Sequence, residues 1–313
     1  MKAEETSLQD YAHQTVTEVE VPKWTSPMQR DQCFVLLGSC FAQYMGKRFQ
    51  EEGMSAVCNP LGAAYNPESI RIQVEQSLKD PSKPFGPTSL TLPNCSASNG
   101  QLPPLGETFF TKPSPFEGEQ KRVYCWWANT LLSDTDEARF RETIQRTFAE
   151  LGEALRQADW LFVTLGTNVC YKLNGQWSTV NGQSGMIVTN CHKVPDKYFE
   201  EIRLGTETCT EILSGMVELL SKECPKLKVV FTVSPYRYRK YGFHGSQLAK
   251  ATLLLAVDEV CKRFPEKASY FPAYEIMMDE LRDYRFYAED MIHPAPEAID
   301  YIWDKLWNCQ NRK

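Results

Sequence analysis

The chain has 313 residues, of which 42% are hydrophobic, and this is enough to bury a large core. Its net charge of -6 argues against nucleic-acid or anionic-membrane partners, which attract an acidic protein only through a local basic patch. The sequence lacks the apolar run of a signal peptide or a membrane span. The eleven cysteines form no C-x-x-C pair, which disfavours a structural zinc site. We therefore expect a reducing, cytoplasmic location.

Three short runs of branched and aromatic residues are typical of buried parallel strands. These runs are CFVLL from Cys33, WLFVTL from Trp160 and KVVFTV from Lys228. Apolar residues also recur at helical spacing in four segments. These segments are residues 140–155, 209–220, 253–264 and 299–307. The alternation predicts an open parallel sheet covered by helices on both faces, with ligands beyond the carboxyl ends of the strands.

The organisation along the chain predicts one α/β domain over residues 31–313, preceded by an N-terminal extension over residues 1–30. Two segments of the domain fit no strand–helix unit. Residues 81–130 are rich in proline, serine and glycine and predict a long insertion over one rim of the sheet. Residues 172–195 contain two Asn-Gly turn signals and predict a hairpin or loop insertion.

Small and polar residues follow the predicted strands, where this fold places its ligands. The tripeptide GSC from Gly38 follows the first strand, and GTN, ending at Asn168, follows the second. Near the C-terminus, Asp290 lies three residues before His293, a spacing at which a carboxylate can orient an imidazole as a general base. Each feature alone is also typical of turns and helix caps. Their joint order is that of a complete acyl-transfer set.

Further polar residues are candidates to line a substrate pocket. Asn190 and His192 lie in the run NCHKVP, after the predicted hairpin. Arg237 follows the third strand and would suit a substrate carboxylate or phosphate. A structural histidine and a solvated arginine are the alternatives. His13 and His244 lie in polar or glycine-containing segments and are expected to be exposed.

The sequence resembles the GSCFA domain family, which is grouped with the SGNH hydrolases. The resemblance rests on GSCFA itself, NPLGAAYNPESI, NCHKVP, KATLLLAV and the run from YFPAY to DMIHP, and it spans about residues 31–308. It implies a flavodoxin-like three-layer α/β/α sandwich and ester or acyl chemistry. We predict a small-molecule or glycan ester as substrate, with no cofactor and no metal. The oligomeric state stays open.

Carried over to this chain, the SGNH pattern assigns residue roles. Asp290 and His293 match its final Asp-x-x-His, as orienter and general base. Asn168 matches its Gly-x-Asn block, and Gly62 matches its second-block glycine. The resemblance implies that these two residues contribute to an oxyanion hole. The first block departs from the pattern, because it reads Gly-Ser-Cys here and Gly-Asp-Ser in the SGNH hydrolases.

This departure leaves the nucleophile open between Cys40 and Ser39. The register places Cys40 at the position of the serine, whereas a shift by one residue restores a Ser–His–Asp hydrolase. A thiol in the first turn of a helix and near a protonated histidine is expected to have a lowered pKa. Against this, cysteine is also a common buried residue.

The residues, together with what the resemblance implies, predict an SGNH-type acyl hydrolase that acts on ester bonds through a covalent acyl-enzyme. An acyltransferase that passes the acyl group to a glycan or small molecule would use the same residues. A catalytically silent SGNH-like domain that binds a glycan or a partner protein is the third interpretation.

Overall fold

A computed structural model of the chain describes residues 17–24, 26–79, 109–112, 122–174 and 185–311. Within these residues the strands are β1 (Cys33–Gly38), β2 (Ser55–Cys58), β3 (Phe109–Lys112), β4 (Arg122–Cys125), β5 (Ser133–Asp134), β6 (Trp160–Leu165), β7 (Val169–Leu173), β8 (Ile187–Val188), β9 (Phe199–Arg203), β10 (Lys228–Val233) and β11 (Ala268–Tyr270). The main helices are α1 (Cys40–Glu51), α2 (Pro67–Leu78), α3 (Glu137–Gln157), α4 (Thr206–Glu223), α5 (Gly242–Arg263) and α6 (Pro296–Asn311). Shorter helical turns cover Asp196–Tyr198, Arg239–Tyr241, Ala273–Glu275, Ile276–Glu280 and Tyr284–Phe286.

Five parallel strands form the central sheet, in the order β2-β1-β6-β10-β11. The three predicted strands are confirmed as β1, β6 and β10 and occupy the middle of the sheet. The sequence patterns do not predict the two short edge strands, β2 and β11. This strand order is the flavodoxin-like one, in which the direction of winding reverses after β2. The carboxyl ends of β1 and β6 therefore flank the crevice where such folds bind ligands.

Helices cover both faces of the sheet, which confirms the predicted three-layer sandwich. Successive side chains of a strand point to opposite faces. In β1, Phe34 and Leu36 pack in the core beneath α1 and α6, whereas Val35 and Leu37 pack in the core beneath α2, α3, α4 and α5. Burial on both sides explains why these strands have continuous apolar sequences rather than alternating ones.

The four predicted helical segments are confirmed as α3, α4, α5 and α6. In α3, the apolar side chains at helical spacing from Phe140 to Leu155 are buried. No comparable apolar stripe marks α2, because Glu68, Arg71 and Gln73 occupy buried positions in it. The guanidinium of Arg71 donates to both carboxylate oxygens of Glu68, at 2.7 and 2.8 Å, and this pair compensates the burial of the two charges.

Part of the predicted insertion at residues 81–130 belongs to the core rather than to a rim excursion. β3, β4 and β5 form a small antiparallel sheet. Trp126 and Trp127, directly after β4, are buried within the larger core. The proline-rich composition of this segment does not indicate a contribution to the core. The two tryptophan side chains nevertheless bury a large apolar area there. Residues 80–108 and 113–121 lie outside the described part of the chain.

The second predicted insertion, residues 172–195, contains strand pairing at its base. β7 pairs antiparallel with β8 on one side and with β9 on the other. The Asn-Gly turn signals that predict the hairpin fall mainly in residues 175–184, which lie outside the described residues. The described ends of this insertion therefore belong to a three-stranded sheet, separate from the central one, that also includes β9.

Residues assigned to the N-terminal extension pack against the domain. The Val19 N–H donates to Glu280 Oε2 at 2.9 Å. The Trp24 and Trp160 rings lie 5.4 Å apart, and Met28 is completely buried. The described part of residues 1–30 thus contributes to the core beneath α1 and α6.

The last residue of β1, Gly38, must be a glycine because the backbone of β6 lies very close to its Cα. Its φ is +132°, and a Cβ there would lie 2.1 Å from the Thr164 carbonyl oxygen. We expect Gly38→Ala to lower the free energy of unfolding by about 2–4 kcal/mol, because β1 or β6 must shift. Chemical denaturation measures this loss. Gly53→Ala, at φ +78° with open space around it, is the matched control and should lose only about 1 kcal/mol. Equal losses would contradict the steric explanation.

Candidate active site

The turn between β1 and α1 distinguishes the two candidate nucleophiles. Ser39 has only 1% of its surface exposed, and its Oγ accepts a hydrogen bond from the Phe41 N–H at 3.3 Å. It is therefore the N-cap of α1. Cys40, the first residue of α1, is half-buried. A substrate can thus reach the Cys40 thiol more readily than the Ser39 hydroxyl.

The surroundings of Cys40 shift its pKa in opposite directions. Burial is the largest effect and raises the pKa of the thiol. The N–H groups of Phe41 and Cys40 and the charge of Lys250 lower it, while the charge of Asp290 raises it. The net direction is upward, so the lowered pKa predicted from the sequence is wrong. Because desolvation of the thiolate outweighs the helix N-terminus, Cys40 is a neutral thiol near neutral pH and needs a base.

Asp290 and His293 are joined by two hydrogen bonds in one turn, and Ile292 adds a third to the same carboxylate. Asp290 Oδ1 accepts from the Ile292 N–H at 2.8 Å and from the His293 N–H at 3.0 Å. Asp290 Oδ2 lies 2.5 Å from His293 Nδ1. The His293 N–H, the His293 imidazole and the Ile292 N–H together lower the pKa of Asp290 to about 2. The carboxylate is therefore ionised at neutral pH and assigns the proton to Nδ1, and no described residue hydrogen-bonds to Nε2.

Arg237 holds the loop that carries this pair. Its N–H donates to the Ile292 carbonyl at 3.1 Å, and its Nη1 donates to the Met291 carbonyl at 3.2 Å. The guanidinium stacks 4.1 Å from the centroid of the Phe243 ring. Arg237 thus lies beside the candidate site, as the sequence predicted, but in this structure it binds the protein's own backbone. Its role with a substrate stays a prediction.

The thiol and the Asp290–His293 pair lie around one aromatic side chain. The Tyr236 ring centroid is 4.6 Å from that of His293. Burial raises the pKa of Tyr236, and the nearby charges of Cys40 and Asp290 raise it further. Tyr236 follows β10, and Cys40 follows β1. The structure therefore brings Cys40, Asp290 and His293 to the carboxyl edge of the central sheet.

The two residues carried over as oxyanion-hole donors have acceptors within the protein. The Gly62 N–H donates to the Asn59 carbonyl at 2.7 Å, which leaves it no second hydrogen. Its φ of +87°, and the 2.2 Å that would separate a Cβ from Asn129 Cβ, explain this glycine by the turn alone. Asn168 Nδ2 donates to the Leu204 carbonyl at 2.7 Å. An amide has two such hydrogens, so this bond uses only one of the two on Asn168 Nδ2.

A buried lysine beside the thiol was not predicted as a site residue. Lys250 on α5 is 1% exposed, and its Nζ donates to the Gly166 carbonyl at 2.7 Å, at the end of β6. Burial lowers the pKa of Lys250 to about 7, and the charge of Cys40 opposes this shift. One sequence signal is available in retrospect. Lys250 precedes Leu253 and Val257 at helical spacing, which places it on the buried stripe of α5.

A cleft of about 250 Å³ opens beside Tyr236. Aromatic and aliphatic side chains make up most of its lining, with the guanidinium groups of two arginines among them. Residues that line it include Arg237, Phe243, Tyr274, Met277, Leu281 and Tyr287. Because Tyr236 contacts both the cleft and His293, the cleft adjoins the candidate catalytic groups.

Asn190 and His192 are brought together, but His192 does not reach a site surface. His192 is completely buried, its Nδ1 lies 3.1 Å from Thr130 Oγ1 and its Nε2 lies 2.9 Å from the Cys125 carbonyl. Asn190 Oδ1 accepts from the His192 N–H at 2.7 Å. These contacts match the structural alternative for His192.

The remaining histidines do not enter the site as the structure describes it. His244 is exposed, as expected. His13 lies outside the described residues. His293 is therefore the one described histidine that lies with Cys40 around Tyr236, at the carboxyl edge of the central sheet.

The sequence profile of the GSCFA family matches residues 33–88 and 104–306. The chain belongs to the GSCFA family. No curated protein matches this GSCFA chain. A candidate GDSL-like lipase from Parabacteroides merdae ATCC 43184 is similar in structure at 10% identity and a TM-score of 0.40, covering 92% of this chain and 100% of its own. An acetyl xylan esterase (Est2A) from the rumen bacterium Butyrivibrio proteoclasticus aligns at 13% identity and a TM-score of 0.26, over 48% of this chain and 36% of its own. With TM-scores below 0.5, neither likeness bears on what this GSCFA protein does.

Neither a metal-binding cluster nor a membrane-spanning helix is found among the described residues of this GSCFA chain. No group of three or more histidine, cysteine or acidic side chains there is arranged to hold a metal ion. No helix in the same part of the chain is both long and apolar enough to cross a bilayer.

Proposed function

We propose that this GSCFA protein is an SGNH-type acyl hydrolase that cleaves ester bonds through a covalent acyl-enzyme on Cys40. The Asp290–His293 pair carries the proposal. Its 2.5 Å contact orients an imidazole at the same sheet edge as a half-buried thiol on a helix N-terminus. A nucleophile, a base and a group that orients the base are the components that acyl transfer requires.

In the proposed reaction, the Cys40 sulfur attacks the ester carbonyl carbon while its proton passes to His293 Nε2. The tetrahedral intermediate collapses, and His293 returns that proton to the leaving alkoxide, which departs as an alcohol. Water then attacks the thioester, with His293 again accepting and returning a proton, and the acid and the free thiol are released. Asp290 stays ionised throughout and stabilises the imidazolium.

The intermediate's negative oxygen needs hydrogen-bond donors. We assign this role to the Cys40 N–H, in the first turn of α1, and to the second amide hydrogen of Asn168. Gly62 would have to release its single N–H from the Asn59 carbonyl before it could donate to this oxygen. The adjoining cleft, with its aromatic and methionine lining, suits a short acyl group or the face of a sugar ring.

The direct test combines turnover with capture of the intermediate. Purified protein with reduced thiols is incubated with nitrophenyl esters of increasing acyl length, and nitrophenol release is followed. Acid quenching and mass spectrometry then locate the acyl group. We expect hydrolysis of short-chain esters and an adduct on the peptide that contains Cys40. A folded protein with neither turnover nor adduct at any chain length would refute the hydrolase and favour a binding domain.

Asn168 provides a quantitative prediction for the oxyanion hole. We expect Asn168→Ala to lower kcat by on the order of 10²- to 10³-fold with a smaller change in KM, because the lost bond forms mainly in the transition state. Steady-state kinetics measure both constants. Asn66→Ala is the control, since the Asn66 side chain caps α2 through the Ser69 N–H and should affect stability alone. Equal kcat losses in both variants would remove Asn168 from the hole.

A further inference from the structure

Lys250 is a charged group buried without an anionic partner in the described residues. Its side chain is 1% exposed, and its Nζ donates to a neutral acceptor, the Gly166 carbonyl. The Tyr274 ring adds a weak contact, with its centroid 5.9 Å from Nζ. Burying an ammonium group is costly unless an opposite charge compensates it. Such a lysine therefore requires an explanation beyond packing.

The surroundings of Lys250 lie at the crevice between β1 and β6. Gly166 follows β6, and both its N–H and that of Thr167 donate to the Tyr65 carbonyl, at 2.7 and 2.9 Å. Across the crevice, Cys40 follows β1. Gly38 pairs with Thr164 in the sheet, so Cys40 and Gly166, the acceptor of the Lys250 hydrogen bond, each lie two residues beyond this pair. The charge of Cys40 favours the charged form of Lys250, and the effect is mutual. The fold therefore buries a cation at the carboxyl ends of the neighbouring strands β1 and β6.

We propose that Lys250 is a positioning residue whose ammonium group is the counter-ion of the Cys40 thiolate. When the Cys40 S–H bond breaks, its proton goes to His293 Nε2, and Lys250 keeps its three hydrogens and balances the sulfur's charge. The thiolate replaces the missing anionic partner of the lysine, and the lysine offsets the desolvation that opposes thiolate formation. The inference rests on the proposed function for the identity of the nucleophile.

The expected size of the effect follows from the charge. An opposite charge close to an ionisable group shifts its pKa by about one unit or more. Alkylation follows the thiolate fraction. Without the lysine charge, the Cys40 thiol should therefore react with iodoacetamide at least about tenfold more slowly below its pKa. Because Lys250 loses its proton as the pH rises through its pKa, this difference should narrow at higher pH.

Two variants separate charge from hydrogen bonding. Lys250→Met removes the charge and keeps an apolar chain of similar length, whereas Lys250→Gln removes the charge and keeps a donor for the Gly166 carbonyl. The rate of Cys40 alkylation is measured from pH 6 to 10 by quantitative peptide mass spectrometry. Cys33, at the other end of β1, is the internal reference. Thermal unfolding checks that the variants are folded, and Lys250→Met should be at least as stable as wild type.

We expect both variants to shift the Cys40 profile to higher pH by a similar amount and to leave Cys33 unchanged. A wild-type profile in both variants would overturn the proposal. A wild-type profile in Lys250→Gln alone would also overturn it, because the lysine would then act only through Gly166. Should neither variant fold, NMR titration of ¹⁵N-labelled lysine in Cys40→Ala decides. A lower Lys250 pKa supports the pair, and an unchanged one refutes it. Alkylation needs no ester turnover, so failure of the hydrolase proposal would be seen separately.

Discussion

Cys40→Ala is expected to abolish ester hydrolysis, with kcat falling by on the order of 10⁴-fold or more, because no other described side chain offers a nucleophile at that position. Ser39→Ala should keep kcat within a few-fold of wild type. It removes the hydrogen bond from the Phe41 N–H to Ser39 Oγ, and we expect a loss of about 1 kcal/mol in the free energy of unfolding. Steady-state kinetics and chemical denaturation measure the two effects independently.

Cys33→Ala is the matched control for the loss of a thiol. Cys33 begins β1, at the edge of the sheet opposite Cys40, and is also half-buried. Its removal should leave turnover unchanged. Cys40→Ser adds a graded test, because a hydroxyl needs stronger base assistance than a thiol and partial loss is expected. An active Cys40→Ala enzyme together with an inactive Ser39→Ala enzyme would assign the nucleophile to Ser39.

The central layers of the fold are readable from the sequence because burial on both faces leaves a strong pattern. β1, β6 and β10 are continuous apolar runs, and four of the helices bury a regular stripe. The elements that escape prediction are those whose residues depend on tertiary partners. β2 and β11 are short edge strands, and α2 buries the polar side chains of Glu68 and Arg71, which satisfy one another.

The contacts of the candidate site also differ in whether the sequence can predict them. The Asp290–His293 pair is local in sequence, so a spacing of three residues suffices to predict the contact that the structure shows. Lys250 and Arg237 act through backbone carbonyls of Gly166 and Met291, 84 and 54 residues away, and no spacing reveals such contacts. The upward shift of the Cys40 pKa is likewise not predictable from the sequence, because it results from burial that the sequence does not specify.

The pH dependence of the proposed reaction follows from the Asp290–His293 pair. Hydrogen bonds from His293 and Ile292 hold the pKa of Asp290 at about 2, below its ordinary value. A carboxyl whose pKa is lowered in the folded state keeps its contacts above its ordinary pKa and loses them as the pH falls toward the lowered value. Near neutral pH Asp290 is therefore already ionised. Protonation of Asp290 should therefore lower activity only as the pH approaches its lowered pKa of about 2.

Asp290→Asn is expected to fold normally and to lose most of its activity. An amide at this position can accept the two backbone N–H bonds, yet its NH₂ group favours the imidazole tautomer in which Nδ1 accepts and Nε2 carries the proton. The base is then unavailable to the thiol, a change that costs about 10⁴-fold in kcat in the serine-protease case. Because the pKa of Cys40 is raised rather than lowered, the thiol depends on that base, and the loss should be of similar size.

Asp136→Asn is the matched control for this substitution. Asp136 also caps a helix, α3, through the Arg139 N–H at 3.0 Å, but it contacts no histidine among the described residues and does not line the cleft. It should retain wild-type turnover. Circular dichroism confirms that both variants are folded, and kcat is compared on one nitrophenyl ester across pH 5 to 9. Asp290→Asn activity within a few-fold of wild type would remove Asp290 from the mechanism. A full loss confined to Asp290→Asn would show that the carboxylate acts through the imidazole it orients.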